Sequence, residues 1–205
     1  MQFFIYRDIF NKMLLKEIAV VQSGYISRGK IEPEDEGSHF LLQARDVDGK
    51  GQSYARKNLT RFNPHLSPSD WTLQRYDILF IARGFKNFSV LIQEIPHNVL
   101  AAACFFVVRA QTEKVLPEYL CWYLNQLPVE DYLRRRIGRG VNMPIVRRAV
   151  LESIDIPLPP METQRTVAEL NKLIAYEQAL LTRLTEKRKT LIAGVCLKAV
   201  QKHEG

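Results

Sequence analysis

The sequence predicts an α+β protein, with a mixed globular domain over residues 1–158 and one long C-terminal coiled-coil helix over residues 159–205. Two observations carry the helix. Between Pro159 and Gln201 there is no proline after Pro160 and one glycine, Gly194. Apolar residues recur there at Val167, Leu170, Ile174, Leu181, Leu184, Leu191 and Val195, with Glu177 and Arg188 filling the two gaps in an alternating three–four spacing. That is a heptad seam for packing on another helix, along a rod of roughly 40 residues and about 60 Å. The third observation is the run of short apolar stretches before Pro159, each closed by turn residues, which reads as strands and short helices.

In chain order, Leu14–Val21 has a short helical or strand-like apolar pattern, and Gly24 with the charged tract Arg28–Gly37 marks a loop. Phe40–Val47 reads as a strand ending at the turn Asp48-Gly49, and Asn63–Ser69 is a loop with two prolines. Asp77–Ala82 is a short buried strand, broken by the glycine loop ARGFKNFS. Ser89–Ile95 and Val99–Val108 are further strands, joined by a turn at Pro96-His97-Asn98. Pro117–Leu124 is a helix with its proline near the start, and a second covers Val129–Ile137. Ile145–Leu151 is another short helix or turn, and Ile154–Leu158 an edge strand leading into the rod.

The polar seam positions suggest what the rod pairs with. In an antiparallel pair with its own copy, about a two-fold axis between Thr182 and Arg183, Glu177 faces Arg188. Ile174 then meets Leu191, Leu170 meets Val195, and Leu181 meets Leu184. Such an ion pair contributes little stability but fixes register. The other reading sets Glu177 and Arg188 at the edge of a seam that packs on the chain's own domain.

Composition is that of a soluble globular protein. The 29 Lys and Arg against 22 Asp and Glu give +7 and a pI near 9.4, a balance that suits a polyanionic partner. Cys104, Cys121 and Cys196 stand singly in apolar surroundings, without zinc spacing, and read as reduced core residues of a cytosolic protein. Arg7 and Asp8 interrupt the apolar start, so no signal peptide is expected. The longest apolar run, Val99–Val108, is about half a membrane span, and no membrane partner is expected.

The densest charge lies between Asp131 and Arg148, where Arg134, Arg135, Arg136, Arg139, Arg147 and Arg148 face a single acid. Gly138, Gly140, Asn142 and Pro144 make its middle a loop. A glycine-broken, arginine-flanked loop can follow a phosphate backbone, and arginine can read guanine edges; the competing reading is a solvated basic face. A second candidate is the loop with Arg83, Lys86 and Asn87, and a third is Tyr54–Arg61 with Arg56 and Lys57. Both mix basic, amide and aromatic groups, the kit for nucleic-acid contact.

Catalytic signals are poor. Asp46-Val47-Asp48-Gly49-Lys50 opens like a calcium loop, but Lys57 stands where its last glutamate belongs. Gly24-x4-Gly29-Lys30 opens like a phosphate loop, but Ile31 replaces the magnesium-binding hydroxyl. The four histidines lack metal spacing, and no glycine-rich cofactor fingerprint is present. Asp70, Asp77 and Glu94 are better read as surface or capping carboxylates than as a nuclease site. No catalytic, metal or cofactor site is therefore assigned.

Several stretches together resemble the specificity subunit of type I restriction-modification systems. LLKEIAVVQSGY is similar to the opening of a target-recognition domain. YDILFIARG resembles that family's GDIL strand and loop, with Tyr76 where glycine is usual. LPEYLCWYLN is similar to its Pro-initiated helix. GRGVNMPIVRRAVLESIDIPLPPMETQRTVAEL resembles its passage from recognition domain into conserved helix, with Thr163 where glutamate is common. Members generally carry two recognition domains and two conserved helices that pair antiparallel. The resemblance implies a half-sized, non-catalytic subunit that dimerises through its helix and reads a bipartite, palindromic site on double-stranded DNA. It further implies that methyltransferase subunits, and a restriction subunit in some assemblies, dock around the rod. The alternatives are a coiled-coil scaffold with no DNA role and a piece of a longer two-domain subunit.

Overall fold

The structure, a computed structural model, describes residues 10–27, 29–47, 59–66, 68–84, 86–95, 97–136 and 144–201. The chain divides into two compact units, Met1–Arg165 and Thr166–Gly205. The strands are β1 (Lys12–Leu14), β2 (Ala19–Ser23), β3 (His39–Leu42), β4 (Thr60–Phe62), β5 (Ile78–Ile81), β6 (Ser89–Leu91), β7 (Val99–Ala101), β8 (Phe105–Ala110) and β9 (Asp155–Pro157). The helices are α1 (Leu15–Ile18), α2 (Pro117–Leu124), α3 (Leu127–Arg136), α4 (Arg148–Glu152) and α5 (Met161–Gln201). This is the mixed α+β architecture with a long C-terminal helix that the sequence predicts.

The strands of the first unit form an antiparallel sheet in the order β2-β8-β5-β6, a smaller sheet β4-β3-β7, and the two-stranded pair β1-β9. β3 and β7 run parallel, with Leu41 opposite Leu100. The apolar run Val99–Val108, expected as one strand, is two strands in two sheets. It breaks at a turn where the Phe105 N–H donates to the Ala102 carbonyl at 3.0 Å. Apolarity persists across the break because both strands are buried. The chain makes a second crossing at Gly24, between β2 and the bridge from Tyr25 to Ala102. A Cβ at Gly24 would collide with the carbonyl oxygens of Ala101 and Ala102, so only glycine fits that approach.

Two other strands are shorter than expected. β3 stops at Leu42 because Asp46 takes the Gln43 N–H at 2.8 Å and folds Ala44–Asp46 into a 3-10 turn. β6 stops at Leu91 because the Ile92 N–H donates back to Asp77 and the chain turns. The rod is one continuous helix of 41 residues, α5.

β5 is buried along its whole length, which is why DILFIA shows no polar alternation. Leu79 and Ile81 pack with Val90, Phe105 and Val107 against Leu42, Val99 and Ala101 of the smaller sheet. Ile78 and Phe80 alternate with them and are buried on the opposite face, where α2 packs on β6 and β8. A second cluster, Tyr25, Leu41, Phe62 and Leu100, closes the smaller sheet. Tyr25 sits edge-on to Trp71 at 5.7 Å, and its hydroxyl accepts the His65 N–H at 2.9 Å.

Polar groups inside this unit are tied to named partners. Asp77, 1% exposed, accepts two hydrogen bonds from Arg109 at 2.7 and 2.8 Å. It also accepts the Gln74 N–H at 2.8 Å. Those bonds hold the Arg109 guanidinium more firmly protonated and raise its pKa. At the sheet edge, the Asn125 side chain exchanges two hydrogen bonds with the backbone of Ser89, at 2.7 and 2.9 Å. An amide side chain thereby takes the place of a further strand on β6. Gln164 in the first turn of α5 is buried, accepting the Leu116 N–H at 3.0 Å and donating to the Pro159 carbonyl at 2.9 Å. The cysteines differ from the expected core reading. Cys121 is buried and its thiol is pushed up to about 12 by burial, but Cys104 is half-buried and Cys196 is exposed on α5.

Tyr76 has φ +71, the left-handed region that glycine favours, so the departure from glycine at this position is a strained one. Its ring lies beneath the Arg75 guanidinium at 4.7 Å. Tyr76→Gly is expected to change stability by less than about 1 kcal/mol, because relief of left-handed strain (about 1–2 kcal/mol) offsets glycine's entropy. A loss above about 2 kcal/mol in urea unfolding would contradict the strain. Asp77→Ala should cost about 3 kcal/mol, the low end for a broken buried pair because Arg109 keeps some solvent. An unchanged unfolding midpoint would show that the pair contributes nothing.

Candidate nucleic-acid interface

The β5–β6 hairpin ends in the ARGFKNF loop, and the fold holds a second segment against it. Arg83 forms an antiparallel bridge with Ile145. The Val146 N–H donates to the Ala82 carbonyl at 2.8 Å, and the Gly84 N–H to the Pro144 carbonyl at 3.1 Å. Gly84 has φ +123, which a side-chain-bearing residue rarely adopts. The Asn87 side chain donates to the Ile81 carbonyl at 2.9 Å, so that amide is used to hold the loop. Two stretches some sixty residues apart in sequence are therefore adjacent, bringing exposed Arg83 and Lys86 to the segment that carries exposed Arg147.

The α3 arginines differ in what they touch. Arg134 is paired with Glu130 at 2.8 Å and Asp131 at 3.2 Å, all exposed. Arg136 stacks over the Tyr132 ring at 4.9 Å, and the Tyr132 hydroxyl donates to the Val150 carbonyl at 3.2 Å, tying α3 to α4. Arg148 pairs with Glu152 at 2.7 Å. Among the described residues, no ion pair engages Arg83, Lys86, Arg135 or Arg147. The acids Glu130 and Glu152 lie just outside the basic span, so counting charge within it overstates the excess. Arg139 and Asn142, between Arg136 and Pro144, lie outside the described residues.

The third candidate stretch is not joined to these two by any described bond. Arg56 and Lys57 lie outside the described residues. Arg61 donates to the carbonyls of Gly37 at 3.1 Å and Asp35 at 2.7 Å, and lies 5.4 Å over Phe40. It pins the acidic loop Glu34–Gly37 and so serves structure. Asp77, raised as a distant nuclease candidate, is held by Arg109. Among the described residues, no group of three or more His, Cys, Asp or Glu is placed to hold a metal ion. Nor is any helix there long and apolar enough to cross a membrane.

On α5 the seam residues Leu170, Ile174, Leu181, Leu184, Leu191 and Val195 are all exposed in the single chain, as are Glu177 and Arg188. Exposed Leu173, Tyr176 and Leu180 form an apolar row beside them, which the heptad reading passed over although the same spacing reveals it. Thr182 and Thr185, which lie off the seam, are satisfied locally, each donating to a carbonyl one turn back at 2.9 Å. Arg147 and Arg83 were each visible in the sequence, but the adjacency of their two segments emerges only from the fold.

No family model matches the chain. A curated relative, the putative type I restriction enzyme MjaX specificity subunit of Methanocaldococcus jannaschii, is 24% identical over 113 residues, 53% of this chain and 27% of the relative. A chain from a structure described as showing complex assembly and conformational transition of the type I R-M system matches with a TM-score of 0.64 at 19% identity, over 88% of this chain and 46% of its own length. The HsdS subunit of Thermoanaerobacter tengcongensis matches with a TM-score of 0.58 at 20% identity, over 88% of this chain and 44% of that one. The chain thus spans less than half the length of each of these proteins. In sequence over about half of it and in fold over most of it, the chain is similar to the specificity subunits of type I restriction-modification systems.

Proposed function

We propose that this chain is a sequence-specific DNA-recognition subunit that directs a type I restriction-modification methyltransferase, and a nuclease where one is present, to a bipartite target in the cytoplasm. The observation that carries the reading is the basic apex, where the β5–β6 loop and the segment before α4 join. Arg83, Lys86 and Arg147 are exposed there and unpaired among the described residues. Unpaired cations supply phosphate contacts, which set affinity and orientation. Arginine at such a loop can also pair with guanine at base edges, which would supply specificity. The chain contributes recognition, and the chemistry belongs to the subunits it recruits.

The seam supports self-pairing. From Leu170 to Val195 its apolar positions meet apolar positions, and Glu177 meets Arg188, when α5 runs antiparallel to a second copy. A two-fold dimer of one reader reads a palindromic pair of half-sites. The exposed seam taken alone also suits a scaffold without a DNA role, and DNA binding separates the two.

The purified chain should retard a DNA duplex at low salt, with affinity falling steeply as salt rises. Replacing Arg134, Arg135 and Arg136 by alanine should reduce the salt slope by about 0.9 for each phosphate that is no longer neutralised. Arg83→Ala with Arg147→Ala should weaken binding more than Arg134→Ala, because Arg134 already has two carboxylate partners. Equal affinity and slope in all three variants would remove these residues from the interface, and no retardation at all would favour the scaffold. For the seam, Glu177→Arg should turn the dimer monomeric by light scattering, and Arg188→Glu in the same chain should restore it. Dimers of equal stability in both variants would exclude this register.

A further inference from the structure

Gly194 is a glycine without a reason inside its own chain. It lies in the interior of α5, seven residues before the end at Gln201, with no left-handed φ. A Cβ built on it meets no atom within 4 Å. Among the described residues, neither backbone conformation nor a close approach calls for glycine there. An alanine would favour the helix by about fivefold in its equilibrium constant. Glycine in this stretch of helix is therefore a local cost, one that a close approach by a second chain would offset.

We infer that Gly194 is a recess that seats Leu173 of a second copy. This rests on the antiparallel self-pairing proposed above and deepens it. A two-fold axis between Thr182 and Arg183 brings the same flank of the seam from both copies side by side. Leu173 directly precedes the seam residue Ile174, and Gly194 directly precedes the seam residue Val195, so both lie on that flank. The register that pairs Leu170 with Val195 and Ile174 with Leu191 sets Leu173 against Gly194, once at each end of the seam. Leu173 is 62% exposed in the single chain, so it is a large apolar side chain in want of cover. The other apolar residue of this flank, Leu180, falls against Lys187, whose methylene stem covers it while the ammonium stays in water. Each leucine of the flank thus has a small or flexible counterpart, which lets the two backbones approach.

The test uses the full chain and its dimer dissociation constant, measured by sedimentation equilibrium. Gly194→Leu should weaken the dimer by at least about a hundredfold, since two overpacked contacts are made per dimer. Adding Leu173→Ala to it should recover association to within about tenfold of wild type. Gly194→Ala should fail to tighten the dimer despite its better helix propensity. A Gly194→Leu dimer as tight as wild type, or no rescue by Leu173→Ala, overturns the recess. If Glu177→Arg breaks and Arg188→Glu repairs the dimer while the Gly194 variants have no effect, the register stands and the recess alone falls. A wild-type chain that stays monomeric overturns both.

Discussion

The antiparallel pairing of β5 with β8 is the interaction on which the first unit depends. It runs from Ile78 opposite Val108 to Ile81 opposite Phe105. β8 carries β2 on its other side and β5 carries β6, so the pair is the centre of the sheet. Its two faces supply both halves of the interior, Leu79 and Val107 toward the smaller sheet, and Ile78, Phe80 and Val108 toward the helices. The Asp77–Arg109 ion pair lies across the same two strands, one residue beyond the ladder. Its pairing of two charges at the strand end opposes any slip in register, since a one-residue shift would move Arg109 to the other face.

The hairpin tip inherits its position from that centre. β5 delivers Ala82 and Arg83 at its end, and the backbone of Pro144–Val146 binds there as a short added strand. The basic apex is therefore fixed by main-chain hydrogen bonds at both of its contributing segments, with Gly84 supplying a backbone conformation that side chains resist. A surface held this way presents its cations from a fixed backbone, and under the proposed function that would lower the backbone entropy lost on binding a polyanion.

The sequence showed most clearly what is local and periodic. α5 was legible because 41 residues of helix carry one repeating pattern, and β5 because its apolar run is short and bounded. The split of Val99–Val108 was not legible, since an apolar run buried on both faces looks alike whether it stays in one sheet or crosses between two. The strand end at Leu42 was hidden because Asp46 acts through a hydrogen bond that no hydropathy pattern encodes. At the candidate interface, composition marked both basic loops but not their junction, which is a tertiary bridge. Nor did it show that Arg61 and Asn87 each donate to backbone carbonyls. Charge in a sequence is counted by residue, whereas charge on a surface is what remains after local pairs form.

The proposed seam shows how a polar layer specifies orientation at little gain in stability. In a parallel, in-register pair, every seam residue of α5 faces its own copy. Glu177 would then oppose Glu177, and Arg188 would oppose Arg188, two like-charge layers in a half-buried seam. The apolar layers do not discriminate, because leucine, isoleucine and valine pack in either direction. The antiparallel arrangement converts both repulsive layers into attractive ones without changing the apolar character of any layer. Desolvation of those charges leaves the ion pairs near zero in net stability, so their effect lies in the gap between the two arrangements. That gap is the physical content of specificity, and it is what lets two short polar interruptions choose between two dimers that the hydrophobic seam alone would populate together.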